Sequence, residues 1–358
     1  MTTAYLNRIA TAVPEHDVHD SFTIFAEHMF ADPRLRAVFR RMASRSGITH
    51  RYSFLDPQPD STQFLYDAHK FYRRGSFPDT SRRMELFEQS APVLMRKAVD
   101  GLALNEQERL GITHVLVTCC TGLYAPGLDF EIVDHLGLDA GVERTMVGFM
   151  GCYAAINALK LARHIVRSET KAGVLMVNLE LCTLHFQETQ ELEQVLSFLV
   201  FADGAAASLI TAREQGFALD SFKAVMVPET RGLITWKIRG LGFDMLLSGQ
   251  VPAELGRALH ESELMAGRDG RDGRDGIDLW AVHPGGRSIL DAVEKGLELP
   301  ADALAASREV LSCFGNMSSA TVMFVLERIM QGARPGQSGC AMSFGPGLTA
   351  ETMRFHAV

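Results

Sequence analysis

A surplus of positive charge is the first thing this 358-residue chain lacks: 35 Lys and Arg stand against 43 Asp and Glu, a formal charge of −8. Nucleic acid is thereby excluded as a general partner, because such affinity rests on Lys and Arg neutralising phosphates. A small anionic substrate is not excluded, since it needs only a local basic patch. Cysteine is also scarce. Six residues (Cys119, Cys120, Cys152, Cys182, Cys313, Cys340) are too few for a disulfide framework in a chain of this length, and none falls in a C-x-x-C pair suited to structural zinc. No apolar run approaches the ~18 residues of a membrane span. The first twenty residues, MTTAYLNRIATAVPEHDVHD, lack a basic segment followed by an apolar one, so no signal peptide is read there. The G-x-G-x-x-G fingerprint of dinucleotide binding is missing too: SFGPGLT at Ser343–Thr349 lacks the third glycine and has no room after it for a strand–helix unit. The expectation is a soluble, reduced, cytoplasmic protein.

What is present is ordinary globular material, 47% apolar and 22% charged. The length suits two domains, or one large core built from two halves. Thr113–Thr118, Gly173–Asn178, Ala205–Ile210 and Leu279–Val282 read as buried strands. Leu86–Val99 and Thr321–Met330 have helical spacing, and Cys152–Val166 is apolar on nearly every face, the mark of a helix buried on all sides. Strands alternating with helices predict an α/β protein with its sheets covered on both faces. Gly267–Gly276 (GRDGRDGRDG) stands apart as a self-neutralising, glycine-rich insertion and is assigned no chemistry.

In a reduced chain a free cysteine is a candidate nucleophile. Cys152 lies in VGFMGCYAAINAL, where Gly148 and Gly151 permit an abrupt strand-to-helix turn. That turn would place the thiol at a helix N-terminus, where unpaired N–H groups and the helix dipole favour a thiolate. A buried structural cysteine would look similar. His283 differs from the other histidines because it ends the strand LWAVHPGG, where Pro-Gly-Gly lets substrate or backbone approach closely. Asn316, in CFGNMSSAT, is either a helix cap or a side-chain amide aimed at a developing oxyanion.

Cys152, His283 and Asn316 in this order, with HPGG, GNMSSAT and FGPGLT around them, resemble the type III polyketide synthases of the chalcone/stilbene synthase family. The resemblance runs over essentially the whole chain. Ketoacyl-carrier-protein synthases III share the three residues but usually carry a different His motif and lack the GPGLT ending. The family fold is implied: a thiolase fold, a five-layer αβαβα core made of two similar halves, in a homodimer. Residues 1–212 would be the half carrying Cys152, and 213–358 the half carrying His283, Asn316 and the repeat loop. No repeat between halves is visible in the residues themselves.

The resemblance also implies roles. Cys152 matches the acyl-accepting nucleophile, His283 its base and an oxyanion donor, and Asn316 the second donor. Phe201 (LVFADGAAA) and Phe243 (GLGFDMLL) match the gatekeepers between a coenzyme A tunnel and the cavity, although residues alone would read as core. Arg41 and Arg45 match cations for coenzyme A phosphates, while a third such position holds Val38. Ser343 replaces a glycine in the loop that keeps Gly345, Pro346 and Gly347. The implied reaction loads an acyl-CoA on Cys152, held as a thiolate beside protonated His283, then extends it with malonyl-CoA by loss of CO₂. No metal or other cofactor is expected, since coenzyme A thioesters are substrates. Ala125 and Cys182 match positions that are bulkier or more polar in plant members, and Gly242 adds room beside Phe243. A medium- or long-chain starter yielding an alkylpyrone or alkylresorcinol is therefore expected. A malonyl starter yielding a small phenolic such as tetrahydroxynaphthalene is the alternative. Two other classes stay open: a Cys-His-Asn hydrolase, and a non-catalytic scaffold, which would normally have lost one of the three residues.

Overall fold

A computed structural model describes residues 2–57, 66–68, 70–261 and 276–358. The Gly-Arg-Asp repeat lies outside them, apart from its last glycine. The first half of the chain runs β1 (Tyr5–Ala12), β2 (His16–Asp17), α1 (His19–Glu27), α2 (Pro33–Ala43), β3 (Tyr52–Ser53), α3 (Thr80–Gly101) and α4 (Glu106–Leu110). It continues through β4 (His114–Cys119), α5 (Leu128–Leu136), β5 (Glu143–Gly148), α6 (Ala154–Ser168), β6 (Val174–Leu181), α7 (Leu192–Val200) and β7 (Asp203–Thr211). The second half has β8 (Phe217–Met226), the hairpin β9 (Ile234–Arg239) and β10 (Gly242–Leu247), α8 (Val251–Glu261), β11 (Leu279–Val282) and α9 (Arg287–Gly296). It ends with α10 (Ala305–Phe314), α11 (Thr321–Gly332), β12 (Ser338–Gly345) and β13 (Thr349–Ala357). The four strands and three helices expected from the sequence all form.

Alternation of side chains along each strand assigns the layers. On β6, Leu175, Val177 and Leu179 face an outer core shared with Phe87, Leu94 and Ala98 of α3. Val174 and Met176 of the same strand face a central core with Ile156 and Leu159 of α6 and Val322 and Phe324 of α11. In the second half, Trp280 of β11 and Cys340 of β12 pack against Leu290 and Val293 of α9 in a third core. Outer helices, half-sheet, central helices, half-sheet and outer helices make the five layers.

The strand order is β11-β12-β13-β8-β1-β7-β6-β4-β5. Its two parts repeat one plan. In each half the first strand (β1 or β8) lies antiparallel beside the last (β7 or β13), which lies antiparallel beside β6 or β12. That strand in turn lies parallel to β4 or β11. The halves join where Tyr5 and Leu6 pair with Ala218 and Phe217. The duplication is therefore plain in the pairing, although nothing in the residues announces it.

Candidate active site

Cys152 is delivered by a sharp reversal between β5 and α6. Phe149 and Gly151 both take left-handed backbone, φ 56° and 70°, and one 3₁₀ turn, Gly151–Tyr153, leads into α6. A Cβ at residue 151 would stand 2.4 Å from the Pro346 ring, so that position needs glycine for space as well as conformation. Gly345 makes a similar close approach, since a Cβ there would sit 2.8 Å from the Tyr153 ring. The thiol sits half-buried at the N-terminal end of α6, as expected. Burial pushes it up to about 12, against the opposing pull of Ser318, whose Oγ lies 3.8 Å from Sγ, and of Asn316.

His283 ends β11 on its central face, its main-chain N–H donating to Met342 O at 2.8 Å. The side chain is buried, neither ring nitrogen has a hydrogen-bond partner, and burial pushes it down to about 3. Burial thus opposes the charged form of each partner in the expected thiolate–imidazolium pair.

Asn316 is clamped by main chain on both sides: its N–H donates to Val200 O at 2.7 Å and its C=O accepts from Ala202 N–H at 2.9 Å. Oδ1 accepts the Ser318 N–H at 2.9 Å, which turns Nδ2 the other way, where it donates to Gly285 O at 3.2 Å. One end of the amide caps the turn before α11 while the other remains a donor beside the His283 loop. Gly285 closes the link, because a Cβ on it would lie 3.7 Å from His283 Nε2.

Beneath these residues is a buried polar network that the sequence reading missed. Glu180, on the central face of β6, accepts from Ser319 Oγ at 2.6 Å, Thr121 Oγ1 at 2.9 Å and Cys120 N at 2.9 Å. Burial raises its carboxyl to about 7 despite these donors. Asn178 donates to Thr118 Oγ1 at 2.7 Å, which meets Ser319 Oγ at 2.9 Å. A carboxylate and an amide inside the apolar run Val174–Leu181 were the available signal.

The thiol faces a small cavity of about 30 Å³ walled mainly by Cys120, Cys182, Phe201, Trp236, Met245 and Ser318. His283 and Asn316 are not among the residues that line it. Phe201 is also a wall of a second space, of about 10 Å³, lined by Phe22, Tyr72, Phe186 and Phe198 with the Arg51 side chain. Phe243 sits one layer back, stacked on His185 with ring centres 4.2 Å apart, while Trp236 covers both edge-on.

Two expected pocket residues are placed elsewhere. Gly242 takes φ 106°, and a Cβ there would meet Arg83 Nε at 2.6 Å. The missing side chain makes room for a buried guanidinium, not for substrate. Ala125 is exposed on the turn before α5 and lines neither cavity of this chain. Arg41 and Arg45 are exposed at the C-terminal end of α2, and Arg287 joins them by donating to Arg45 O at 3.3 Å.

A duplicated five-layer core with Cys, His and Asn gathered at the inner ends of α6, β11 and α11 defines a thiolase-fold condensing enzyme. Family models for the N-terminal and C-terminal domains of chalcone and stilbene synthases match residues 2–214 and 218–358. The chain belongs to the chalcone and stilbene synthase family, the type III polyketide synthases, and is an acyltransferase of the condensing type. It is 34% identical to the alpha-pyrone synthesis polyketide synthase-like Pks18 of Mycobacterium tuberculosis, over all of this chain and 92% of that protein. It is 32% identical to bisdemethoxycurcumin synthase of Oryza sativa subsp. japonica, over 93% of this chain and 85% of that protein. Among solved structures, PKS-I of the brown alga Ectocarpus siliculosus superposes with a TM-score of 0.87 at 28% identity, covering 100% of this chain and 99% of that one. The type III polyketide synthase domain of Steely1 from Dictyostelium superposes with a TM-score of 0.87 at 23% identity, covering 99% of each chain.

Proposed function

We propose that this polyketide synthase loads a medium- or long-chain acyl-CoA on Cys152, extends it with malonyl-CoA and cyclises the product to an alkylpyrone or alkylresorcinol. The observation that carries the starter assignment is the apolar lining on both sides of Phe201. This side chain is a wall of both the thiol-bearing cavity and the aromatic cavity beyond, with Cys182 beside it. An alkyl chain is the ligand such surfaces suit. The name of the Pks18 relative, an alpha-pyrone synthesis protein, points the same way.

The chemistry follows from a thiol, an imidazole and an amide. As Cys152 attacks the starter thioester, a His283 nitrogen with no other partner takes the thiol proton and returns it to the departing coenzyme A thiolate, leaving an acyl-Cys152 thioester. Malonyl-CoA then loses CO₂, and negative charge develops on its thioester oxygen. A neutral imidazole N–H of His283 and the Asn316 Nδ2–H donate to that oxygen. The enolate carbon attacks the acyl-Cys152 carbonyl and expels the Cys152 thiolate, which regains a proton from solvent through His283, and a β-ketoacyl-CoA two carbons longer is left. Arg41 and Arg45, with Arg287 beside them, supply exposed cations for the coenzyme A phosphates.

A homodimer is the assembly we infer. Strand β5 is a sheet edge whose residues Glu143–Met146 are exposed, and Phe130 lies exposed beside it under the Arg144 guanidinium, 4.4 Å away. An uncovered edge of a large sheet invites pairing with a second copy. Light scattering of the purified protein tests this directly.

The reaction is tested by mass spectrometry of the products from purified protein, malonyl-CoA and acyl-CoA starters from acetyl to palmitoyl. Pyrones or resorcinols carrying the starter's alkyl chain are expected, with turnover rising from short to long chains. A product built from malonyl-CoA alone would replace this reading with the small-phenolic one. Free acid with no new carbon–carbon bond would replace it with hydrolysis.

A further inference from the structure

At the far end of β4 from the active site, three side chains unrelated to condensation converge. His114 and Glu143 are register partners at the starts of parallel strands β4 and β5, and Glu169 follows the last turn of α6. One ligand atom from each lies within 4.8 Å of the others. Six residues of strand put this cluster roughly 17 Å from the Cys120 end of β4.

Thr113 holds the imidazole from behind: its Oγ1 lies 2.8 Å from His114 Nδ1 and also meets Gly173 O at 3.3 Å and the Gly173 N–H at 3.2 Å. The other ring nitrogen, Nε2, faces Glu143 Oε2 at 3.6 Å, beyond hydrogen-bond distance, although the His114 side chain is only 7% exposed. A buried imidazole held by an outer partner, with its second nitrogen facing two exposed carboxylates, is the arrangement of a metal ligand and its supporting shell.

We propose that His114, Glu143 and Glu169 hold a divalent transition-metal ion, Zn²⁺ being the best chemical fit. Imidazole disfavours Mg²⁺ and Ca²⁺, no thiolate is within the group, and three N/O ligands leave a fourth position for water. The ion ties the last two strands of the sheet, β4 and β5, to the end of the central helix α6. It takes no part in the condensation.

The test uses the full chain stripped with EDTA. One Zn²⁺ per chain should be retained through gel filtration and raise the melting temperature. Co²⁺ in its place should show an absorption spectrum without a thiolate charge-transfer band. Glu169→Gln, and Glu143→Gln on the edge strand inferred to pair in the dimer, should each weaken binding more than tenfold with the oligomeric state unchanged by light scattering, and Cys152→Ala should leave it unchanged. Thr113→Val, which removes only the outer partner, should weaken it about 10–100-fold. Unchanged affinity in both carboxylate variants would overturn the proposal. So would a thiolate band, loss of the ion in Cys152→Ala, or no retention by the parent.

Discussion

The two halves of this chain are one scaffold used for different ends. Each sends a helix into the central layer, and each introduces it with a 3₁₀ turn: Gly151–Tyr153 before α6 and Ser318–Ala320 before α11. In each, left-handed residues make the reversal, Phe149 and Gly151 in the first half, Gly315 and Ser318 in the second. The first half mounts a thiol on that turn. The second mounts an amide just before it and a histidine at the end of β11. Helix ends that meet in the middle bring nucleophile and hydrogen-bond donors together although 164 positions separate Cys152 from Asn316. The comparison teaches that the first half should own acyl transfer and the second should own stabilisation of the enolate, with His283 shared.

The largest effect expected from breaking this division is at the thiol. Cys152→Ala should take product below detection while the circular dichroism spectrum and melting temperature stay near those of the parent, since one half-buried sulfur is removed. Residual product would mean that Cys120 or Cys182, on the same wall, accepts the acyl group. His283→Ala comes next. Because it serves as base and donor, acyl loading and CO₂ release should both fall, each by about 10²-fold or more.

A smaller and selective effect is expected at Cys182→Phe. Burying a methylene is worth ~0.8 kcal/mol, so a chain that loses two methylenes of contact should lose about fifteenfold in kcat/KM. Palmitoyl-CoA should suffer this loss while acetyl-CoA, too short to reach the wall, is little changed. Equal losses with both would show that Cys182 does not bound the alkyl site.

The smallest effect concerns stability. The Glu180 carboxyl is raised to about 7, above its unfolded value of 4.5. The folded state therefore binds the proton more tightly, and this contribution, full below pH 4.5, is lost as pH rises through 7. The stability difference between wild type and Glu180→Gln, measured by denaturant unfolding, should move against the wild type across that window. A difference independent of pH would show that Glu180 titrates normally.

Much of this architecture could be read from the residues, and the exceptions share a cause. The apolar runs at Thr113–Thr118 and Gly173–Asn178 announce their strands because burial on both faces leaves an unbroken pattern. Cys152 announces itself by its glycines. What the residues hide is long-range pairing. Gly242 appears to offer space until Arg83, distant in the chain, is seen to fill it. Nothing in the residues shows that Ser318, at a positive φ of 47°, brings its hydroxyl to the thiol. The burial that opposes the acidity expected of Cys152 from its helix terminus is hidden in the same way.

The division of labour is tested most directly in Asn316→Ala. Intact-protein mass spectrometry with an acyl-CoA reports loading of Cys152, and labelled CO₂ from malonyl-CoA reports decarboxylation in the same preparation. The acyl adduct should form at close to the parental rate while CO₂ release falls by about 10²–10³-fold, the usual effect of losing one oxyanion donor. Near-parental CO₂ release, or loading that falls in step with decarboxylation, would contradict the account.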